Sequence, residues 1–147
     1  MKILMVCLGN ICRSPLAEGI LKAKIQALDL DWEVDSAGTS GWHNGEMPHD
    51  GSIQIASKYG IDITGQKSRK FIKQDFDRFD HIVAMDSENY KDIVALDPSK
   101  KDNVHLLLNY SHPGMNMAVP DPYYTNNFQK VYDLIDAACD GLIKKFS

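Results

Sequence analysis

The sequence predicts a single α/β domain over residues 1–147, doubly wound, with a four-stranded parallel sheet flanked by helices. Two observations carry that expectation. Apolar runs of strand length alternate with segments whose apolar residues recur at helical spacing, in the order β-α-β-α-β-α-β-α. The length suits one domain whose core needs no covalent staples.

The first strand is the run Ile3-Leu4-Met5-Val6, apolar on both faces and ending at Cys7. A tight loop, Leu8-Gly9-Asn10-Ile11-Cys12, leads through Arg13 to Ser14-Pro15, a helix start. Leu16, Ile20, Leu21, Ile25 and Leu28 carry that helix from about Pro15 to Leu28, with Glu18, Lys22 and Lys24 facing water. Trp32 to Ser36 alternates and reads as an edge-type strand, followed by a loop from Ala37 to Gly41. His49 to Tyr59 forms a second helix through Ile53, Ile55, Ala56 and Tyr59, stopped by Gly60. Lys67 to Asp77 is charged and irregular, anchored by Phe71, Ile72 and Phe76. His81 to Met85 is the third strand. Asp86-Ser87 caps a helix that Pro98 forbids from extending. Val104 to Leu108 is the fourth strand. Phe128, Val131, Leu134, Ile135, Ala138, Leu142 and Ile143 mark a long amphipathic C-terminal helix.

Hydrophobic content of 44% and charged content of 24% are ordinary for a globular protein. The net charge of −4 offers no global attraction to nucleic acid or to an anionic membrane. No span approaches transmembrane length. Three cysteines without zinc-ligand spacing fit a reduced, cytoplasmic setting.

In an open α/β sheet, ligands bind beyond the carboxyl ends of the strands, at the switch point of the strand order. The loop after the first strand lies there, and its residues suit an anion. A loop at a helix N-terminus aims free N–H groups at one spot, where the helix dipole favours negative charge. Arg13 adds a planar fork that matches two phosphoryl oxygens. The same positive field favours a nucleophilic thiolate at Cys7. Gly9 can take positive φ or let the backbone approach the anion. Cleaving a phosphate ester also needs a proton donor for the leaving oxygen. Asp121, in Val119-Pro120-Asp121-Pro122-Tyr123-Tyr124, fits that role. It reads equally well as a turn residue before the last helix.

A cysteine, five residues and an arginine, set between a strand and a helix start, is the pattern of cysteine-dependent phosphatases. CLGNICRSP resembles the phosphate-binding loop of the low-molecular-weight protein tyrosine phosphatases, and the resemblance spans nearly the whole chain. It is strongest over residues 2–18, 35–42, 59–90 and 119–124. It implies a metal-free and cofactor-free hydrolase acting on phosphotyrosine proteins, with phosphate or vanadate as active-site ligands, and a monomer without nucleic-acid or membrane partners. Cys7 is then the nucleophile. Arg13 and the loop residues Leu8, Gly9, Asn10, Ile11, Cys12 and Ser14 hold the phosphate, and Asp121 is the general acid. Ser36 supports Asn10, and Trp42, Tyr123 and Tyr124 wall the cleft. Asp86 lies in a further family motif, although a helix cap explains it equally. Asp35 and Asp80 are expected to be solvated.

Cys12 reads as a small loop-filling residue, or, as in the family, as a disulfide partner for the nucleophile. Cys139 reads as core. Near the start of the second helix the family often carries an Asp and, two residues on, an Arg. His49 and Gly51 stand there instead, which puts that ion pair in doubt. Three rival functions share these features. An arsenate reductase of the same fold needs further redox cysteines. A non-catalytic phosphoprotein-binding module needs no nucleophile or acid. A protein-arginine phosphatase carries, in related proteins, a threonine at the position of Ile11.

Overall fold

Four strands, Lys2–Cys7 (β1), Glu33–Gly38 (β2), His81–Ala84 (β3) and Val104–Leu106 (β4), form the sheet in a computed structural model describing residues 1–147. Every neighbouring pair is parallel, in the order β2-β1-β3-β4. β1 is therefore central and β2 an edge strand, as the alternation of its residues implied. The helices are Arg13–Ala27 (α1), Asp50–Lys58 (α2), Asp75–Arg78 (α3), Ser87–Leu96 (α4), Pro122–Thr125 (α5) and Phe128–Phe146 (α6). None is long and apolar enough to cross a membrane.

The unbroken apolar character of β1 follows from its position, because both of its faces are covered. Ile3 and Met5 pack with Leu16 and Ile20 of α1, Ile55 of α2 and Ile135 and Leu142 of α6. Leu4 and Val6 point the other way, to Ile82, Phe71, Phe76 and Ile93. Cys139 lies fully inside the first layer, as expected. Gly60 ends α2 with φ +77, a conformation that a side chain resists.

Several boundaries and faces differ from the sequence reading. α1 begins at Arg13, and β2 runs on to Gly38 because its last residues pair with the end of β1. β4 stops at Leu106, and Leu107 and Leu108 continue as a buried 3₁₀ turn. Phe71 and Phe76 do anchor their segment, edge to face at 5.2 Å, whereas Ile72 is exposed. Asp35 is half exposed but lies 3.4 Å from Arg69. Asp80 is exposed and accepts from the Lys2 amide. Glu18 does not face water at all. It is 3% exposed and lies beneath the loop that follows β1.

His49 and Gly51 form an aromatic joint. His49 accepts from the Gly51 amide through Nδ1 and stacks on Phe128 at 5.3 Å. A Cβ on Gly51 would collide with the Phe128 ring. Alanine at Gly51 would gain up to about 1 kcal/mol of helix propensity. Overpacking against a stacked ring costs about 1–3 kcal/mol, so the collision wins. Gly51→Ala is expected to lower the urea midpoint, with partial recovery in Gly51→Ala/Phe128→Leu. A raised midpoint in the single variant would refute the packing account.

Candidate active site

β1 delivers Cys7 to the carboxyl edge of the sheet, between β2 and β3, where the strand order reverses. The loop after it is short and tightly held. Its left-handed residue is Asn10, with φ 55, and not Gly9. The Asn10 amide donates to the Cys7 sulfur at 3.3 Å. Glycine serves elsewhere. A Cβ on Gly38 would sit 2.8 Å from the Leu8 carbonyl oxygen, so the bare end of β2 lets the loop backbone lie against it. The start of α2 braces the far side. His49 N–H donates to the Ile11 carbonyl at 2.7 Å, and Ser52 Oγ donates to that of Cys12 at 2.9 Å.

Backbone accounting in this loop is unusual. Cys12 and Arg13 are buried and Leu8, Gly9 and Ile11 half-buried, and N–H groups withdrawn from water normally find an acceptor. Those of Leu8, Gly9, Ile11, Cys12 and Arg13 donate to no acceptor in the protein. The same five residues, together with Cys7, line the floor of one cleft of about 180 Å³. α1 starts at its base, so the dipole of a 15-residue helix adds to the same field. A larger groove of about 620 Å³ runs beside β4, past Ser87, His105 and Lys145, and contains no cysteine.

Arg13 is 3% exposed. One guanidinium nitrogen donates to Asp86 at 2.7 Å and to the Val119 carbonyl at 3.0 Å; the other lies 3.5 Å from Asp121. Burial opposes its charge, but Cys7, Asp86 and Asp121 outweigh burial and hold its pKa above the usual value. Asp86 divides its two oxygens, one capping α4 through the Asn89 amide and one holding Arg13. The sequence showed the cap and missed the clamp. Asp121 caps α5 through the Tyr123 amide at 3.0 Å and turns its other oxygen toward Arg13. The Val119 amide donates to the Met85 carbonyl, so the segment carrying Asp121 is fastened to the end of β3.

The other two cysteine thiols are buried. Burial, then the charges of Cys7 and Asp121, push the Cys12 thiol up to about 12. Burial raises that of Cys139 as well. No group of three or more His, Cys, Asp or Glu side chains could hold a metal ion.

Asn10, Ser14 and Ser36 lie beneath the floor, each buried. Asn10 Nδ2 donates to Ser14 Oγ at 2.8 Å and to Ser36 Oγ at 3.0 Å, and its Oδ1 accepts from the Arg69 amide at 3.1 Å. Ser14 Oγ is 3.1 Å from the Cys7 sulfur. Arg69 is itself held by the fully buried carboxylate of Asp75. The charged segment from Lys67 to Asp77 thus supports the loop, a role its composition did not announce.

Trp42, Tyr123 and Tyr124 line the mouth of the cleft, where they are 77%, 59% and 79% exposed. They form a rim above a polar floor. His43, which the sequence reading passed over, stands beside Trp42 and is tied to Glu46 at 2.6 Å.

Comparison with known proteins gives a uniform picture. The family described as low molecular weight phosphotyrosine protein phosphatase matches residues 2–147. The low molecular weight protein-tyrosine-phosphatase PtpA of Staphylococcus aureus is 45% identical over 139 residues, covering 94% of this chain and 88% of its own. The crystal structure of YfkJ from Bacillus subtilis superposes with a TM-score of 0.94 at 40% identity, covering 99% of this chain and 93% of that one. DARP, a Drosophila arginine phosphatase, superposes with a TM-score of 0.91 at 34% identity, covering 100% and 98%. Cys7 and Arg13 stand where such a loop requires them, at the end of the first strand and the start of the first helix. The chain belongs to the low molecular weight phosphotyrosine protein phosphatase family.

Proposed function

We propose that this protein hydrolyses phosphotyrosine in proteins through a phosphocysteine intermediate. The observation that carries this reading is the coincidence of five acceptor-less N–H groups, Arg13 and Cys7 on one cleft floor. Such a floor fits a tetrahedral dianion, and its fixed dipoles need no rearrangement as charge develops. The Cys7 thiolate attacks phosphorus, and the bond from phosphorus to the phenol oxygen breaks. As the phosphoryl dianion takes Arg13 from Asp121, the freed carboxylate takes up a proton from solvent, and the resulting carboxylic acid gives that proton to the leaving oxygen. In the second step Asp121, now a carboxylate, accepts a proton from water. That water attacks phosphocysteine, inorganic phosphate departs, and the thiolate is restored.

Release of phosphate from p-nitrophenyl phosphate in the presence of a chelator tests the reading. Turnover supports it. Binding without turnover would favour a phosphoprotein-binding module, and arsenate reduction without hydrolysis would favour a reductase. The reductase reading lacks a relay, because Cys139 is fully buried in α6.

The likeness to an arginine phosphatase supports a second substrate reading. Ile11 supports the phosphotyrosine reading. It lies on the cleft floor and offers a branched apolar surface where a threonine would present a hydroxyl to the attacking water. The three rim aromatics match a flat phenyl ring, and the phosphoserine side chain is too short to carry its phosphate down to Cys7. Phosphotyrosine peptides are expected to give the highest kcat/KM, above phosphoserine and phosphoarginine peptides. Ile11→Thr is expected to move the preference toward phosphoarginine. A higher kcat/KM on phosphoarginine for the wild type, or an unchanged preference in the variant, would overturn this role.

Cys12 serves as a redox guard in this reading. All three cysteines are free thiols, which suits a reducing cytoplasm, and Cys12 shares the loop with Cys7. A thiol beside a sulfenic acid captures it as a disulfide, with loss of water, before irreversible oxidation. Dithiothreitol is expected to reverse peroxide inactivation in the wild type and much less so in Cys12→Ser. Equal recovery, with no Cys7–Cys12 linkage on peptide mapping, would refute the guard.

A further inference from the structure

His81 and His105 stand on one face of the sheet, and the proposed mechanism uses neither. His105 pairs in register with Val83, two residues beyond His81, so the two imidazoles are diagonal neighbours on adjacent strands. His81 Nδ1 and His105 Nε2 face each other at 3.3 Å. We propose that these two nitrogens form a binding site for a divalent transition-metal ion, zinc by its geometry, apart from the active site. His81 lies level with Ile3, four residues before Cys7 on β1, toward the opposite end of the sheet from the cleft.

The spacing of the nitrogens points to an ion. Two nitrogens each about 2.0–2.1 Å from one tetrahedral zinc lie about 3.3–3.4 Å apart. A square-planar ion draws adjacent ligands to about 2.9 Å, so this spacing favours zinc over copper(II) or nickel(II). An N–H donor usually sits about 2.9–3.0 Å from its acceptor, so the pair is long for a hydrogen bond. Neutral imidazole is the ligating form, and it predominates above pH 7. With both inner lone pairs on the ion, the ring protons pass by exchange with water to His81 Nε2 and His105 Nδ1. Neither outer nitrogen is buried without a partner, so each proton reaches water.

The surroundings hold the pair and admit an ion. Phe146 stacks on His81 at 4.3 Å, and the Tyr110 ring lies 6.2 Å from that of His105, so aromatic rings fix both imidazoles. His105 lines the groove of about 620 Å³ beside β4, which supplies an entry path and water for the remaining coordination positions. Of the charges facing the pair, Asp80 beside His81 favours an added cation and Lys145 beside His105 opposes it. The ion clips β4, a three-residue strand at the sheet edge, to β3. Two protein ligands give weaker binding than a four-ligand structural site.

Zinc titration of the Cys7→Ser chain tests the site, because the Cys7 thiolate would itself take zinc. Long-range proton–nitrogen NMR correlation reads which nitrogen of each histidine is ligated. Zinc is expected to shift Nδ1 of His81 and Nε2 of His105 in one saturable step, before any shift at His43, His49 or His112. Magnesium, which takes oxygen ligands, is expected to move none of them. His81→Gln and His105→Gln are each expected to weaken zinc binding by at least about tenfold, the least that loss of a group supporting a metal costs. Lys145→Gln is expected to tighten it about twofold by removing a like charge. Shifts at other histidines instead, unchanged affinity in either histidine variant, or weaker binding in Lys145→Gln would overturn the proposal. The NMR result needs no change at either histidine, so it decides the matter even if those variants fail to fold. Zinc binding needs no turnover, and its outcome is separate from the phosphatase reading.

Discussion

Replacing Cys7 by serine is expected to abolish turnover while leaving the fold and the anion site in place. The loss should be at least on the order of 10⁴-fold, as for removal of a covalent nucleophile. A serine hydroxyl is a far weaker nucleophile than a thiolate, and the cleft holds no histidine placed to activate it. His43 stands at the rim and is committed to Glu46. Serine is smaller than cysteine by little, and Cys7 is 3% exposed, so packing is nearly conserved. The five loop N–H groups and Arg13 remain, and the variant is expected to bind vanadate or phosphate by calorimetry. Residual turnover within tenfold of wild type, or loss of anion binding with an intact fold, would contradict the assignment.

Asp121→Asn is expected to give the second-largest effect, a loss on the order of 10²–10⁴-fold. Asparagine keeps the shape, and its oxygen can still cap α5 through the Tyr123 amide. What disappears is the transferable proton. The loss must therefore grow with the basicity of the leaving phenolate and shrink for p-nitrophenolate, which leaves without help. Steady-state rates across a series of substituted phenyl phosphates read this directly. An equal loss for every leaving group would assign Asp121 a structural part only, as a cap and a partner of Arg13.

The fold was legible in the sequence because its signals are local. Ile3 to Val6 is apolar on both faces, so it had to be an interior strand, and the order of strands and helices then implied a parallel sheet. The Cys7–Arg13 loop was legible for the same reason, since a strand end, a tight loop and a helix start are contiguous. What the sequence hid depends on non-local packing. Glu18 sits four residues before Lys22, the pattern of a surface ion pair, and nothing local reveals that the sheet edge folds Ser36 over it. Asp86 satisfied a cap, so no residual signal pointed to its second oxygen on Arg13, 73 positions away. Arg69 and Asp75 lay in a stretch whose charge suggested solvent, yet Asp75 is fully buried. Of the two roles open to Gly9, positive φ fell instead on Asn10, whose side chain is held at both ends and so fixes a conformation that the backbone alone would disfavour.

Mass spectrometry of the wild-type protein, quenched in milliseconds during turnover of a phosphotyrosine peptide, tests the central claim most directly. The account predicts phosphate on the peptide that contains Cys7, in a phosphorus–sulfur linkage, and none elsewhere. Phosphate trapped on any other residue, or turnover with no phosphoenzyme at any time point, would contradict it.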